Sequence, residues 1–249
     1  MPPLNSVVII PARMAATRLP GKPLADIGGV PMIARVWRSA VAGEIGPVVV
    51  AAGDAEIVAA VVSAGGSAVL TDKQLPSGTD RVFAALQQFD PSGIHDAIVN
   101  LQGDLPLLDP VCLRVVMRVL AESGADIATL AASITEAADF DNPNVVKPVI
   151  AWQSGKSYGR ALYFSRNRVP SGAGELYHHI GVYAFRREAL ARFVTLPPSD
   201  LEKSERLEQL RALEDGMSIA VGLVDTPPLS VDTPADLEKA RAAQASQIA

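Results

Sequence analysis

The chain is poor in the residues that usually announce chemistry. It has one cysteine, Cys112, three histidines and 5% aromatic residues in 249. A single cysteine cannot close an internal disulfide, so a disulfide scaffold is excluded and a reducing, cytoplasmic setting is expected. Cys112 falls in an apolar helical pattern and reads as a small buried hydrophobe. His178 and His179 are adjacent, with no third histidine or cysteine at ligand spacing, which argues against zinc. Positive charge is not in excess either. Lys and Arg number 22 against 27 Asp and Glu, a formal net charge of -5, so no nucleic-acid partner is expected. No apolar run reaches the roughly 18 residues of a membrane span. MPPLNSVVII has no basic n-region, so neither a membrane partner nor a signal peptide is expected. A glycine-rich P-loop and a strand followed by G-x-G-x-x-G are both missing, which disfavours Walker-type and dinucleotide sites. Internal repeats and low-complexity segments are missing too.

What is there is apolar and ordered in its alternation. Hydrophobic residues make up 49% of the chain, enough for one large α/β domain or one domain with an inserted lobe. Val7 to Ile10 is a continuous, mostly β-branched run, the pattern of a buried parallel strand, which Pro11 is expected to end. A long turn follows with three cations, Arg13, Arg18 and Lys22, and no acid before Asp26. Cations this close repel one another unless an anion sits among them. A basic loop at the carboxyl end of a first strand is where an α/β sheet binds phosphate; a solvated basic loop is the plainer alternative.

Helical periodicity over Pro31–Ala42, a strand over Pro47–Ala51, a helix over Glu56–Ala64 and a strand over Ala68–Thr71 give β-α-β-α-β. That is the half-unit of a doubly wound parallel sheet. Ser77 and Asp80 match a capping box before a helix over Arg81–Phe89, which leaves Gly78, Thr79 and Arg81 unexplained. A strand over Asp96–Leu101 runs into Gln102-Gly103-Asp104. This puts a carboxylate at a strand's carboxyl end, where it could hold Mg2+ against phosphate or simply form a turn. Helix Val111–Ala121 and strand Asp126–Ser133 precede a short polar helix over Thr135–Phe140. Strand Val145–Ala151 contains Lys147, and Pro148 marks it as an edge or bulge. With the return strand Arg160–Ser165 and the strand Leu176–Phe185, residues 145–185 read as an inserted β-rich lobe within a single domain of 1–249. Alternation sets His179, Gly181 and Tyr183 on one face of that last strand and His178 on the other. Glu202–Glu214 reads as one helix with Leu207, Leu210 and Leu213 inward and Glu208 and Gln209 off that seam. After a strand over Ile219–Val224, Thr233-Pro234 starts the last helix and leaves Asp232 free of the cap.

Taken in order, PARMAATRLPGKPL, SGTDR, NLQGD, NPNVVK, ALYFSR, HHIGVYAF, LEQLR and VDTPADLEKAR span Val7 to Arg241. Together they resemble the CMP-KDO synthetases, the 3-deoxy-manno-octulosonate cytidylyltransferases. The resemblance implies a nucleotidyltransferase-like Rossmann variant that joins CTP to the acid sugar KDO for lipopolysaccharide assembly, with Mg2+ as cofactor and a homodimer as the assembly. By motif, Arg13, Arg18 and Lys22 would grip the triphosphate, and Ala12 with Ser77, Gly78 and Thr79 would lie near cytosine and ribose. Asp104 and Asp232 would hold the metal. Gln102, His179, Tyr183, Glu208 and Gln209 would line the sugar pocket, with Arg81 and Lys147 available to its carboxylate and to phosphate. Arg13, Lys22, Asp104 and Asp232 would carry the catalysis. No side-chain base is obvious, so the metal is expected to assist deprotonation of the sugar hydroxyl. Two positions depart from the pattern: Leu105 stands in QGDLP where a carboxylate is common, and Ser230 replaces the glycine of GVDTP. The residues alone leave open another acid sugar such as sialate, a guanylyl- or uridylyltransferase, and a nucleotide-binding protein without turnover.

Overall fold

The apolar run near the start becomes β1 (Ser6–Ala12), buried at every position, as a strand covered on both faces must be. This is a computed structural model; it describes residues 4–15 and 18–248, and side chains up to residue 246. Ala16 and Thr17 of the basic-loop motif lie outside the described residues. After β1 come a 3-10 turn (Lys22–Leu24), β2 (Asp26–Ile27), β3 (Val30–Pro31) and α1 (Met32–Val41). They are followed by β4 (Val48–Ala52), α2 (Ala55–Ser63), β5 (Ser67–Leu70), α3 (Gly78–Phe89) and β6 (Ala97–Leu101). β1 pairs in parallel with β4 and β6, and β4 with β5, in the order β5-β4-β1-β6. The expected β-α-β-α-β unit is therefore present. Cys112 is buried, and burial together with the charge of Asp109 pushes its thiol up to about 11, so it packs rather than reacts.

The chain divides into two compact units, Asn5–Arg114 with Pro228–Ala249, and Met1–Leu4 with Val115–Pro227. α4 (Val111–Ser123) carries the chain from the first to the second. The second holds β7 (Ile127–Ser133), β8 (Lys147–Trp152), β9 (Tyr158–Ser165), β10 (Tyr177–Arg186), α5 (Arg187–Thr195), α6 (Asp200–Glu205), α7 (Leu210–Glu214) and β11 (Ile219–Leu223). Its strands run β10-β7-β11-β9-β8, parallel only between β11 and β7. Residues 145–185 lie within this unit. α8 (Pro234–Ile248) returns to the first unit. Among the described residues no helix is long and apolar enough to cross a membrane.

Three local expectations are corrected. Pro11 does not end β1; the ladder to β4 continues through Pro11–Ala51 and Ala12–Ala52. Pairing with β6 stops at Ile9–Asn100, and the Pro11 carbonyl faces Gly103 on that side, so no ladder bond is missing there. The short polar helix is only a 3-10 turn, Ala137–Asp139. The single helix over Glu202–Glu214 is two, because Arg206 adopts the left-handed conformation, φ 56 and ψ 46. Its N–H and that of Leu207 both return to the Glu202 carbonyl, closing α6 where glycine would be usual. The expected seam survives in part: Leu207 and Leu210 are buried and Leu213 is half-buried.

The turn into β4 depends on Gly46, at φ 149, where a Cβ would overlap the Ser6 carbonyl oxygen. Backbone meets backbone there, so neither side can yield. Gly46→Ala should destabilise the chain by about 1–3 kcal/mol or more, seen as a lower urea midpoint at unchanged m-value.

Candidate active site

The chemistry-bearing side chains fall into two groups, one in each unit. In the first unit the backbone of Val231 ties three distant segments together. Its N–H donates to the Asp104 carbonyl at 2.9 Å, and its carbonyl accepts from Lys22 Nζ at 2.9 Å. Lys22 Nζ also lies 3.1 Å from Asp104 Oδ2 and 3.1 Å from Asp232 Oδ1. Apolar packing sets this geometry. Ile27, Met32, Val231, Leu237 and Ala240 form a buried cluster, with Leu19, Ala25 and Leu229 against it. Burying each of the larger side chains contributes about 1.5–3 kcal/mol, more than a surface ion pair supplies. Gly103 permits the close pass of β6's exit beside β1, since a Cβ there would stand 2.9 Å from the Pro11 carbonyl oxygen. Asp104 titrates above the usual carboxylate range. Desolvation is the main cause, the Lys22 charge opposes it and the like charge of Asp232 adds to it.

A hollow of about 370 Å³ opens here, lined by Ala12, Arg13, Arg18, Lys22, Ser77, Gly78, Arg81, Gln102, Asp104 and Asp232. Two of the loop cations already have an anion among them: Lys22 and Arg18 both pair with Asp232, Arg18 at 3.1 Å from an exposed position. Arg13 is exposed. Ser77 caps α3, which starts at Gly78 rather than Arg81; its Oγ accepts from Asp80 N at 3.1 Å and donates to Asp80 Oδ2 at 2.7 Å, so the expected cap is present. Arg81 is buried and spent on the turn before α3, donating to Thr71 Oγ1 at 2.6 Å and to the Asp72 carbonyl at 3.0 Å. Thr79 is buried and reaches the hollow through a relay: Asn100 Nδ2 donates to Thr79 Oγ1, and Gln102 Nε2 donates to Asn100 Oδ1. Leu105 is buried at 5% exposure and serves packing. Two carboxylates already sharing one cation are hard oxygen donors of the kind Mg2+ takes, so the residues fit that ion.

One residue of this group escaped the sequence. Asp54 reads there as part of a turn, yet it is 7% exposed and anchors the basic loop. Its Oδ2 accepts from Met14 N at 2.8 Å, and its Oδ1 meets Lys73 Nζ at 2.6 Å. Desolvation works against its charge, but Lys73 and the Met14 N–H outweigh it and hold the carboxyl below its ordinary value. The anchor is therefore complete above the ordinary carboxylate range and fails only as pH falls through that lowered value.

In the second unit β10 carries His179 and Tyr183 on one face as expected, ring centroids 5.4 Å apart. Burial pushes the His179 imidazole down to about 3, with His178 adding to the effect. Burial first, then the charge of Glu208, raises the Tyr183 phenol. His178 is also lowered, mainly by burial. Glu208 and Gln209 sit at the break between α6 and α7. Gln209 is 7% exposed, and its Nε2 has no hydrogen-bond partner among the described residues. Lys147 is wholly buried and donates to the Asn142 carbonyl at 2.6 Å and the Arg166 carbonyl at 3.3 Å. The structure thus gives Lys147 the task of joining the two ends of the β8–β9 hairpin.

The profile of the cytidylyltransferase family matches residues 7–219. The chain belongs to that family. This cytidylyltransferase is 63% identical to the 3-deoxy-manno-octulosonate cytidylyltransferase of Parvibaculum lavamentivorans, over 97% of the chain and 93% of the relative. It is 60% identical to that of Paramagnetospirillum magneticum, over 97% and 98%. Its fold matches a CMP:2-keto-3-deoxy-manno-octonic acid synthetase solved with CTP, at TM-score 0.90 and 36% identity over 98% and 99% of the two chains. It also matches a Mycobacterium homologue of rv0371c at TM-score 0.63 and 18% identity, over 97% and 98%, which speaks for the fold alone. The α/β class expected from the sequence is the class observed.

Asp54→Asn removes the charge on the Met14 anchor while keeping its shape. A hydrogen bond to a charged group contributes about 1.5–3 kcal/mol, so titration calorimetry should find CTP binding weakened by roughly ten- to hundredfold.

Proposed function

We propose that this cytidylyltransferase transfers the cytidylyl group of CTP to the anomeric hydroxyl of 3-deoxy-manno-octulosonate, releasing pyrophosphate. The observation that carries the reading is the meeting of Lys22, Asp104 and Asp232 in a hollow rimmed by Arg13 and Arg18. A sugar hydroxyl must attack the α-phosphorus in line with departing pyrophosphate, and negative charge grows on the leaving group. Arg13, Arg18 and Lys22 line the hollow and would offset this charge. Ala12, Ser77 and Gly78 line the same hollow and suit the nucleoside. Thr79, through Asn100 and Gln102, stiffens its wall. In the second unit His179, Tyr183, Glu208 and Gln209 supply the mixed aromatic and polar surface a sugar acid needs.

Asp104 and Asp232 would hold the Mg2+. When bound, the ion supplies charge neutralisation at the phosphates and lowers the pKa of a bound hydroxyl. A cytoplasmic homodimer serving lipopolysaccharide assembly belongs to the same proposal, and the buried, protonated Cys112 suits reducing surroundings.

Incubation with CTP, the sugar acid and Mg2+ should release pyrophosphate and yield a product with the mass of CMP-KDO. Turnover with sialate but not KDO would replace this reading by its nearest rival. Asp104→Asn and Asp232→Asn should each lose roughly 10²-fold in kcat at limiting Mg2+. Lys22→Ala should lower kcat far more than it raises the sugar KM; a pure KM defect would remove Lys22 from the leaving-group role.

A further inference from the structure

Thr129 is fully buried on β7, opposite an irregularity in β10. The register between the two strands jumps between Ile180 and Tyr183, and Thr129 pairs with Tyr183 just past the jump. Three polar atoms converge on its hydroxyl: the Val182 carbonyl oxygen at 2.9 Å, the Ile180 carbonyl oxygen at 3.2 Å and His179 Nε2 at 3.0 Å. A hydroxyl has one proton to give, and a carbonyl can only accept. Were that proton given to Nε2, the hydroxyl oxygen would face two carbonyl oxygens, lone pair against lone pair, at a position wholly removed from solvent. Given instead to the nearer carbonyl, that of Val182, the proton leaves Oγ1 free to accept from His179 Nε2–H, and one carbonyl contact rather than two is left without a proton. In neutral imidazole the other nitrogen is then bare. His179 retains 9% exposure, and its Nδ1 has no hydrogen bond to the described residues.

We propose that Thr129 is a positioning residue that fixes His179 as the Nε2–H tautomer, so that Nδ1 takes a hydrogen bond from a hydroxyl of the sugar rather than giving one to its carboxylate. This rests on the reading above that His179 faces the sugar acid. Burial keeps the ring uncharged across the working pH range, so it cannot serve as a cation for the carboxylate. The complementary donor in this unit is Gln209, whose buried Nε2 has hydrogen-bonding capacity to spare.

The test is a long-range 1H–15N spectrum of the full chain labelled at histidine, with His179 assigned by the signals lost in His179→Asn. The expected pattern is a protonated Nε2 and a bare Nδ1, kept when CTP and the sugar acid are added. Thr129→Ser should keep the pattern. Thr129→Val should lose it and raise the sugar KM by about tenfold, the size of one net hydrogen bond, with the CTP KM unchanged. A protonated Nδ1 in the wild type, free or with sugar bound, overturns the proposal. So does a Thr129→Val chain that keeps both the tautomer and the sugar KM. If Thr129→Val does not fold, the wild-type and Thr129→Ser spectra decide. Absence of turnover with KDO would defeat the assigned reaction and leave the tautomer spectrum to be read on its own.

Discussion

Two carboxylates placed within reach of one point repel by about 4 kcal/mol at 4 Å in surroundings of effective dielectric near 20. Asp104 and Asp232 can share a site only because the Lys22 ammonium lies 3.1 Å from each. Everything that delivers these charges is apolar or backbone. Leu19 and Ala25 flank Lys22 in sequence, Val231 precedes Asp232, and all three belong to one packed cluster around Ile27 and Met32. The Val231 peptide then bonds to Asp104 on one side and Lys22 on the other. A dense core tolerates little displacement, so the charges inherit its rigidity. The raised pKa of Asp104 records the tension in this design, since the same packing that positions the carboxylate also takes water away from it.

The second unit handles polarity in a different way. Burial keeps His179 uncharged, and Lys147 is capped by carbonyls. Among the described residues Lys147 has no carboxylate at salt-bridge distance, and it is satisfied by the carbonyls of Asn142 and Arg166. Glu205 plays the matching part for the anion, accepting from Ser165 Oγ at 2.7 Å and Arg166 N at 3.0 Å. A charge held by fixed dipoles leaves its neighbours little freedom. The first unit thus gathers charges, and the second holds its polar groups by directed hydrogen bonds.

What the sequence revealed follows the range over which each cause acts. β1, β4 and β6 are written as short apolar runs, and the cap at Ser77 is written within four residues, so both could be read locally. The basic loop could be read as cationic, but not as already paired, because Asp104 and Asp232 are 82 and 210 positions from Lys22. Asp54 looked like an ordinary turn residue for the same reason: its role is set by Met14, 40 positions away. Thr129 gave no signal, since a threonine in a strand is unexceptional until a bulge in another strand turns two carbonyls toward it. The break at Arg206 escaped because its usual marker, glycine, is missing. Pro11 misled for a converse reason. Proline forbids a ladder bond only on the side its nitrogen faces, and one sequence does not say which side is paired.

The sign of the charge completes the argument. The whole chain carries a net charge of -5, yet the hollow is lined by four cations, Arg13, Arg18, Lys22 and Arg81, against two carboxylates, Asp104 and Asp232. A concave site of opposite sign to the body that holds it concentrates field lines and draws a polyanion to one place. A surface uniformly basic would bind phosphate anywhere, with no gain in selectivity. Arg81 adds its charge from a buried position where it cannot follow a ligand, because Thr71 and Asp72 hold its guanidinium. Arg18 adds its charge from an exposed position, paired with Asp232 at 3.1 Å. The hollow therefore sets a buried, held cation beside an exposed one, an arrangement that suits a polyanion.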